Sequence, residues 1–260
     1  MKIGIFDSGL GGLIIARSIR KLMPKYDYVY LGDTKRVPYG NRSHETVYQF
    51  TREAVNYLFH KENCAIVVIA CNTASARALK RLQKEYGKKK KILGVLIPTA
   101  EEVAKFKNIG VLATSGTVVS ESFPKEIKKL NKQARVFQNP APMLVPLIEN
   151  GENILAKQFI LKYLKPLLSR KPEAIVLGCT HYPIFKNEFK KILGKNTKLI
   201  SQDEIIPKKL QNYFARHPEI AQKLSKNKKA KILVTDMAPH IKKLSKKWFG
   251  EDTEPKLVQS

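Results

Sequence analysis

Two short segments of the sequence place a cysteine in the same local setting. Residues 66–73 and 174–181 each contain a hydrophobic, β-branched run, then a small residue, a cysteine and polar residues. The cysteines are Cys71 and Cys179, and a helical pattern follows each of them. A thiol near a helix N-terminus or a histidine readily forms the thiolate, and His181 lies two residues after Cys179. The repeated setting favours two chemically active thiols over two buried structural ones.

The remaining cysteine, Cys64, has no such setting, and we expect it to be structural. Three cysteines without a CxxC pair do not make a disulfide framework, and the five histidines show no metal-ligand spacing. We therefore expect no metal site. Free thiols are typical of a reducing compartment, so the expected location is the cytoplasm.

Polar loops follow several other strand-like runs. Residues 7–12 (Asp-Ser-Gly-Leu-Gly-Gly) join the first such run to a helical pattern, where backbone N–H groups can bind an anion. This segment is neither a dinucleotide fingerprint nor a P-loop. Because Asp7 would repel an anion, we interpret it as a partner for a substrate ammonium group or a thiol proton. Residues 33–41 form a second polar loop. Residues 114–117 offer hydroxyl groups that can bind a carboxylate. Glu149 either belongs to a ligand site with these loops or simply ends a helix.

Nine strand-like runs alternate with helical patterns along the chain, which predicts an α/β fold with a mainly parallel sheet covered on both faces. The runs are Lys2–Phe6, Tyr28–Leu31, Ala65–Ala70, Ile92–Leu96, Ile109–Ala113, Arg135–Gln138, Ala174–Leu177, Lys198–Ile200 and Lys231–Thr235. Ligands of open α/β sheets bind at the carboxyl ends of the strands. Both Cys71 and Cys179 are expected at such an edge.

The composition, with 43% hydrophobic and 27% charged residues, is that of a folded globular protein. No apolar run approaches the roughly 20 residues that span a bilayer, and the first charged residues precede any signal-peptide core, so no membrane association is expected. The net charge of +26 comes from 38 lysines and only 10 arginines. The lysine runs 88–91, 226–231 and 242–247 carry no interleaved aromatic residues, so we expect solvated faces and at most non-specific nucleic-acid binding.

Five of these segments, in this order, resemble the sequence signature of bacterial glutamate racemases. They are residues 7–12, 33–40, 70–75, 146–151 and 178–183, and the resemblance weakens over the last fifty residues. It implies two pseudo-symmetric α/β domains, each a mainly parallel sheet flanked by helices, with the active site in the cleft between them. The expected domains are residues 1–96 with a returning segment 208–260, and residues 97–207.

The resemblance also implies an activity, the cofactor-independent interconversion of L-glutamate and D-glutamate, which supplies D-glutamate for peptidoglycan synthesis. Cys71 would take the α-proton from D-glutamate and Cys179 from L-glutamate, assisted by Asp7 and His181 respectively, with Glu149 as a further auxiliary. The substrate contacts implied are Asp7, Ser8, Tyr39, Gly40, Asn72, Thr73, Thr114, Thr117, Thr180 and His181. The expected assembly is a homodimer.

Two other functions remain open at this point: an aspartate racemase of the same superfamily, and a basic protein that binds DNA or gyrase. The run 181–183 (His-Tyr-Pro) favours glutamate, because aspartate-specific relatives tend to carry Glu at the position of His181. The chain starts directly at its first strand, without the extension that some relatives use for activation by a cell-wall precursor. We therefore expect no such activation.

Overall fold

The computed structural model describes residues 1–88, 90–250 and 253–259. The strands are β1 (Lys2–Asp7), β2 (Tyr28–Gly32), β3 (Cys64–Ile69), β4 (Lys91–Gly94), β5 (Asn108–Ala113), β6 (Arg135–Pro140), β7 (Ala174–Gly178), β8 (Lys198–Ile200), β9 (Ala230–Val234) and β10 (Pro255–Leu257). The helices are α1 (Gly12–Leu22), α2 (His44–His60), α3 (Asn72–Arg77), α4 (Leu79–Tyr86), α5 (Leu96–Val103), α6 (Ser115–Val119), α7 (Ser122–Leu130), α8 (Leu144–Glu149), α9 (Asn153–Leu168), α10 (Lys186–Leu193), α11 (Gln202–Arg216), α12 (Pro218–Ala221) and α13 (Pro239–Phe249). Short 3₁₀ turns occur at Tyr39–Asn41 and Tyr182–Phe185.

The strands form two parallel sheets. The first has the order β10-β9-β2-β1-β3-β4 and the second the order β6-β5-β7-β8, and all their described pairings are parallel. The arrangement β2-β1-β3-β4 therefore recurs as β6-β5-β7-β8. The two segments that carry Cys71 and Cys179 begin in the structurally equivalent strands β3 and β7 of this repeat, and each cysteine follows the end of its strand. The predicted α/β fold with two similar parallel sheets is confirmed.

All nine predicted strands are present, with ends that differ by at most two residues from the prediction. The run predicted at Ile92–Leu96 stops early, at Gly94, because Leu96 already begins α5. The tenth strand, β10, was not predicted. It has three residues and lies at the edge of its sheet, where Leu257 is 60% exposed and no burial pattern marks it in the sequence.

Apolar burial joins the two sheets into one body. We call the six-stranded sheet with its helices the first lobe, and the four-stranded sheet with its helices the second lobe. The largest apolar cluster contains Ile5 and Ile66 of the first sheet, Leu112 and Ile175 of the second, and Trp248 of α13, all buried. Burying each such side chain contributes about 1.5–3 kcal/mol, so this shared core opposes separation of the lobes.

The chain crosses between the lobes twice. It leaves the first lobe between β4 and β5 through α5, and it returns between β8 and β9 through α11. The two crossover helices contact each other, and α11 also packs against α1. Within the described residues, we find no helix that is both long and apolar enough to cross a membrane.

Candidate active site

A cavity of about 320 Å³ lies where the two sheets present the carboxyl ends of their central strands. One lining residue follows each of four strands: Ser8 after β1, Cys71 after β3, Thr114 after β5 and Cys179 after β7. Of the predicted site residues, the cavity is lined by Ser8, Tyr39, Gly40, Cys71, Asn72, Thr73, Thr114, Glu149, Cys179, Thr180 and His181. Its volume suits a small molecule.

Cys71 is held at the N-terminus of a helix. It is the N-cap of α3, and its Sγ accepts a hydrogen bond from the Ala74 N–H at 3.4 Å. The Ser8 hydroxyl lies 3.3 Å from the same sulfur. Burial, with a smaller contribution from the nearby Asp7 carboxyl, raises the pKa of Cys71 to about 12, although both hydrogen bonds oppose this shift. These surroundings favour the protonated thiol of Cys71.

Cys179 has a different partner, an imidazole. Its Sγ lies 3.8 Å from His181 Nδ1, and His181 Nε2 lies 2.8 Å from Glu149 Oε1. Burial alone would lower the pKa of His181, but its hydrogen bonds with Cys179 and Glu149 raise it well above the ordinary 6.5. Burial alone would raise the pKa of Glu149, but its hydrogen bond and charge interaction with His181 lower it below the ordinary value. These three residues form a Cys–His–Glu chain in which His181 Nδ1 can exchange a proton with the sulfur.

Asp7 and Thr117, both predicted to contact substrate, do not line the cavity. Asp7 is completely buried, and burial raises its pKa above the ordinary value. Its carboxylate accepts the Gly9 N–H at 3.0 Å and the Thr180 hydroxyl at 3.4 Å. Asp7 thus connects the β1 loop of the first lobe to the residue that follows Cys179 in the second.

A cluster of three threonine hydroxyls crosses between the lobes. Thr73 Oγ1 lies 2.8 Å from Thr114 Oγ1 and 3.4 Å from Thr117 Oγ1, and the latter two are 3.0 Å apart. The neighbouring Gly116 has to be small, because a Cβ there would lie 2.7 Å from the carbonyl oxygen of Gly40 in the opposite lobe. Thr117 stands behind Thr73 and Thr114, which present the cluster to the cavity.

Comparison with known proteins gives one consistent result. Residues 14–201 match the profile of the Asp/Glu/hydantoin racemase family. A glutamate racemase of Sulfurihydrogenibium sp. (strain YO3AOP1) is 38% identical over 265 aligned residues, covering 100% of this chain and 98% of that protein. The chain belongs to the glutamate racemases of this family. The resemblance inferred from the five segments is confirmed, and it extends over the final fifty residues as well.

Solved structures of this family agree with the fold. A glutamate racemase isoform from Bacillus anthracis superposes with a TM-score of 0.90 at 32% identity, covering 99% of this chain and 97% of that one. A glutamate racemase from Francisella tularensis, determined in complex with D-glutamate, has the same TM-score and coverages at 30% identity.

Asp33, which is not among the predicted site residues, supports one wall of this cavity through Tyr39. The Tyr39 ring lines the cavity, but its hydroxyl donates to Asp33 Oδ2. Buried Asp33 also accepts Arg36 Nε at 2.6 Å and the Thr235 hydroxyl at 2.9 Å. Tyr39 therefore contributes its ring to the cavity wall. Asp33 lies in a polar loop after a buried strand and in one of the five resembling segments, residues 33–40, but neither signal gave it a role of its own.

The charged His181–Glu149 pair predicts a pH-dependent contribution to stability. The lowered pKa of Glu149 contributes fully above pH 4.5, and the raised pKa of His181 contributes fully below pH 6.5. Stabilisation should fade as pH rises through the raised pKa of His181 or falls through the lowered pKa of Glu149. We expect Glu149→Gln to lose about 1–3 kcal/mol of unfolding free energy between pH 5 and 6.5, and less once the pH exceeds the raised pKa of His181.

Urea unfolding of both proteins at a series of pH values measures this difference. The matched control is Glu219→Gln, because Glu219 pairs with His217 at 3.1 Å but both side chains are exposed. Solvent screens such a pair, so the control should change little at any pH. The charged pair would be contradicted if the loss of unfolding free energy in Glu149→Gln grew toward pH 9. It would also be contradicted if that loss equalled the loss in Glu219→Gln.

Proposed function

We propose that this protein interconverts L-glutamate and D-glutamate by proton transfer at the α-carbon between Cys71 and Cys179, without a cofactor. The observation that carries the proposal is that two cysteines from different lobes line one small cavity. Inverting a stereocentre by proton transfer requires a base on one face of the carbon and an acid on the other. Two thiols that approach from separate sheets meet this requirement.

The surroundings of the two thiols favour the protonation states that the conversion of L-glutamate to D-glutamate requires at its start. Cys71 is held as the thiol and can donate a proton. Cys179 accepts the α-proton of L-glutamate as a thiolate, with the charged imidazole of His181 3.8 Å from the sulfur. In the opposite direction Cys71 begins as the thiolate, and the Ser8 hydroxyl and Ala74 N–H are the donors placed to stabilise its charge.

Removal of the α-proton also places negative charge on the substrate. Preorganised donors stabilise such charge most effectively where water is excluded. The cavity offers the hydroxyls of Thr73, Thr114 and Thr180. We propose that these hydroxyls contact the substrate carboxylates. Asp7 and Thr117 lie behind the cavity wall and hold these hydroxyls in place through hydrogen bonds. We also propose that the D-glutamate produced is used for peptidoglycan synthesis.

Deuterium exchange tests both the reaction and its independence of a cofactor. Purified protein in D₂O with L-glutamate and no additions should incorporate one deuteron at Cα while optical rotation decays to zero, which NMR and polarimetry record. L-aspartate in parallel should react much more slowly, although one methylene is worth only about 1–3 kcal/mol of discrimination in a binding pocket. Absence of exchange with glutamate, or faster exchange with aspartate, would overturn the assignment.

We further propose a cytoplasmic homodimer with lobe limits at residues 96/97 and 207/208. The three free cysteines support a reducing compartment. Exposed Ile154, Leu155 and Leu161 on α9 offer an apolar face to a second copy. Light scattering after gel filtration, with Leu161→Lys as the variant, tests the dimer; a monomeric mass for the unmodified chain would refute it.

A further inference from the structure

A buried glutamine connects the interlobe crossings to the segment that carries Cys71. Gln202 is the first residue of α11, and it is 1% exposed. Its Oε1 accepts Asn72 Nδ2 at 2.7 Å, and its Nε2 donates to Asn72 Oδ1 at 2.8 Å. The same Nε2 lies 3.2 Å from the Thr99 hydroxyl in α5. One side chain therefore joins both crossover helices to α3.

Two reciprocal hydrogen bonds between amides determine both the separation and the plane of the two groups. Asn72 is the first residue of α3 and directly follows Cys71, whose sulfur caps the same helix. Thr73, the next residue, reaches the hydroxyl cluster with Thr114. Any shift of Asn72 therefore moves a reacting sulfur and a donor hydroxyl together. The Thr99 hydroxyl is itself anchored, since it donates to the Val95 carbonyl at 2.7 Å.

We propose that Gln202 is a positioning residue of this site: acting through Asn72, it sets the position of Cys71 relative to Cys179. This inference rests on the proposed function for its kinetic consequence. Both the oxygen and the nitrogen of the Asn72 amide are hydrogen-bonded to Gln202. The contribution of Asn72 to the site is therefore to hold the first turn of α3 in place. The return crossover thereby orients a group in the first lobe, which makes the geometry of the two thiols depend on how the lobes dock.

The main test is Gln202→Met, which keeps a side chain of similar length and removes all three hydrogen bonds of the Gln202 amide. We expect kcat/KM for glutamate to fall about tenfold or more, mainly through kcat, because small misplacement of a reacting group is costly. We also expect iodoacetamide to alkylate Cys71 several-fold faster in the substrate-free protein, with Cys179 unchanged. Mass spectrometry of the two peptides over time measures these rates.

The matched control is Asn131→Ala. Asn131 also bonds to the end of a crossover helix, through the Ala104 carbonyl at 2.8 Å, but it does not line the cavity. The Asn131→Ala variant should be less stable than the unmodified protein, but its kcat and its rate of Cys71 alkylation should be unchanged. A second variant, Gln202→Leu, also replaces the amide by an apolar group and should change kcat/KM and Cys71 alkylation in the same direction; it serves if the methionine variant does not fold.

Unchanged kcat/KM together with unchanged Cys71 alkylation in a folded Gln202 variant would overturn the proposal. So would an Asn131→Ala variant that lost as much activity at the same thermal stability. The alkylation measurement needs no racemase activity. If Cys71 alone changes while the unmodified protein does not racemise glutamate, the positioning role stands and the proposed function fails.

Discussion

Replacing either Cys71 or Cys179 by serine is expected to lower kcat/KM for racemisation by about 10²–10⁴-fold or more, because each thiol is one of two obligatory acid–base groups. A serine hydroxyl is far less acidic than a thiol and does not supply the base. Both cysteines are only 6% exposed, and serine is close in size, so folding should persist. Circular dichroism at one wavelength follows racemisation, and thermal unfolding confirms that each variant is folded.

The third cysteine provides the control for this experiment. Cys64 is completely buried in β3 and does not line the cavity, and burial raises its pKa to about 12. Cys64→Ser should therefore retain turnover per folded molecule, whatever it loses in stability. Wild-type turnover in Cys71→Ser or in Cys179→Ser would refute a reaction that uses two bases.

His181→Asn should have the second largest effect, a loss of about 10²-fold or more in kcat/KM. The variant removes the proton partner of Cys179 but leaves the contacts of Cys71 with Ser8 and Ala74 intact. Iodoacetamide should accordingly react more slowly with Cys179 and at an unchanged rate with Cys71. Kinetics in both directions and peptide mass spectrometry measure the two effects.

A structural role alone for His181 would give a different result. The imidazole packs edge-on against Trp248, with ring centroids 5.6 Å apart, so its loss also disturbs the contact with α13. Trp248→Phe keeps an aromatic ring there and should preserve most of the turnover. The exposed His217→Asn controls for the loss of an imidazole. Equal reactivity of Cys179 in His181→Asn and in the unmodified protein would exclude the proton exchange.

The two lobes share a strand order but not the chemistry of their thiols. The equivalent strands β3 and β7 are each followed by a cysteine. Cys71 contacts the Ser8 hydroxyl and a helix N-terminus, whereas Cys179 contacts the imidazole of His181. A two-base reaction needs this difference, because one thiol has to begin protonated while the other begins as the thiolate. The similar fold of the two halves positions the two sulfurs. The different neighbours of each sulfur determine which one begins protonated.

Much of this site follows from local sequence. Alternating strand and helix patterns indicate an α/β fold, and a cysteine after a buried strand lies at the ligand-binding edge wherever that strand pairs. The segments around Cys71 and Cys179, with the loops after β1 and β5, were recognisable for this reason. Strand burial and helix periodicity are properties of neighbouring residues, so they can be read before the chain is folded.

Only the tertiary structure decided which distant side chains meet. Thr180 binds Asp7 across 173 residues, Thr235 binds Asp33 across 202, and Gln202 binds Asn72 across 130. It also placed Asp7 and Thr117 behind the cavity wall. These contacts depend on how two separately patterned lobes dock and on the direction in which each buried side chain points. Hydrophobic periodicity encodes which face of an element is buried, but not which polar group will lie opposite it.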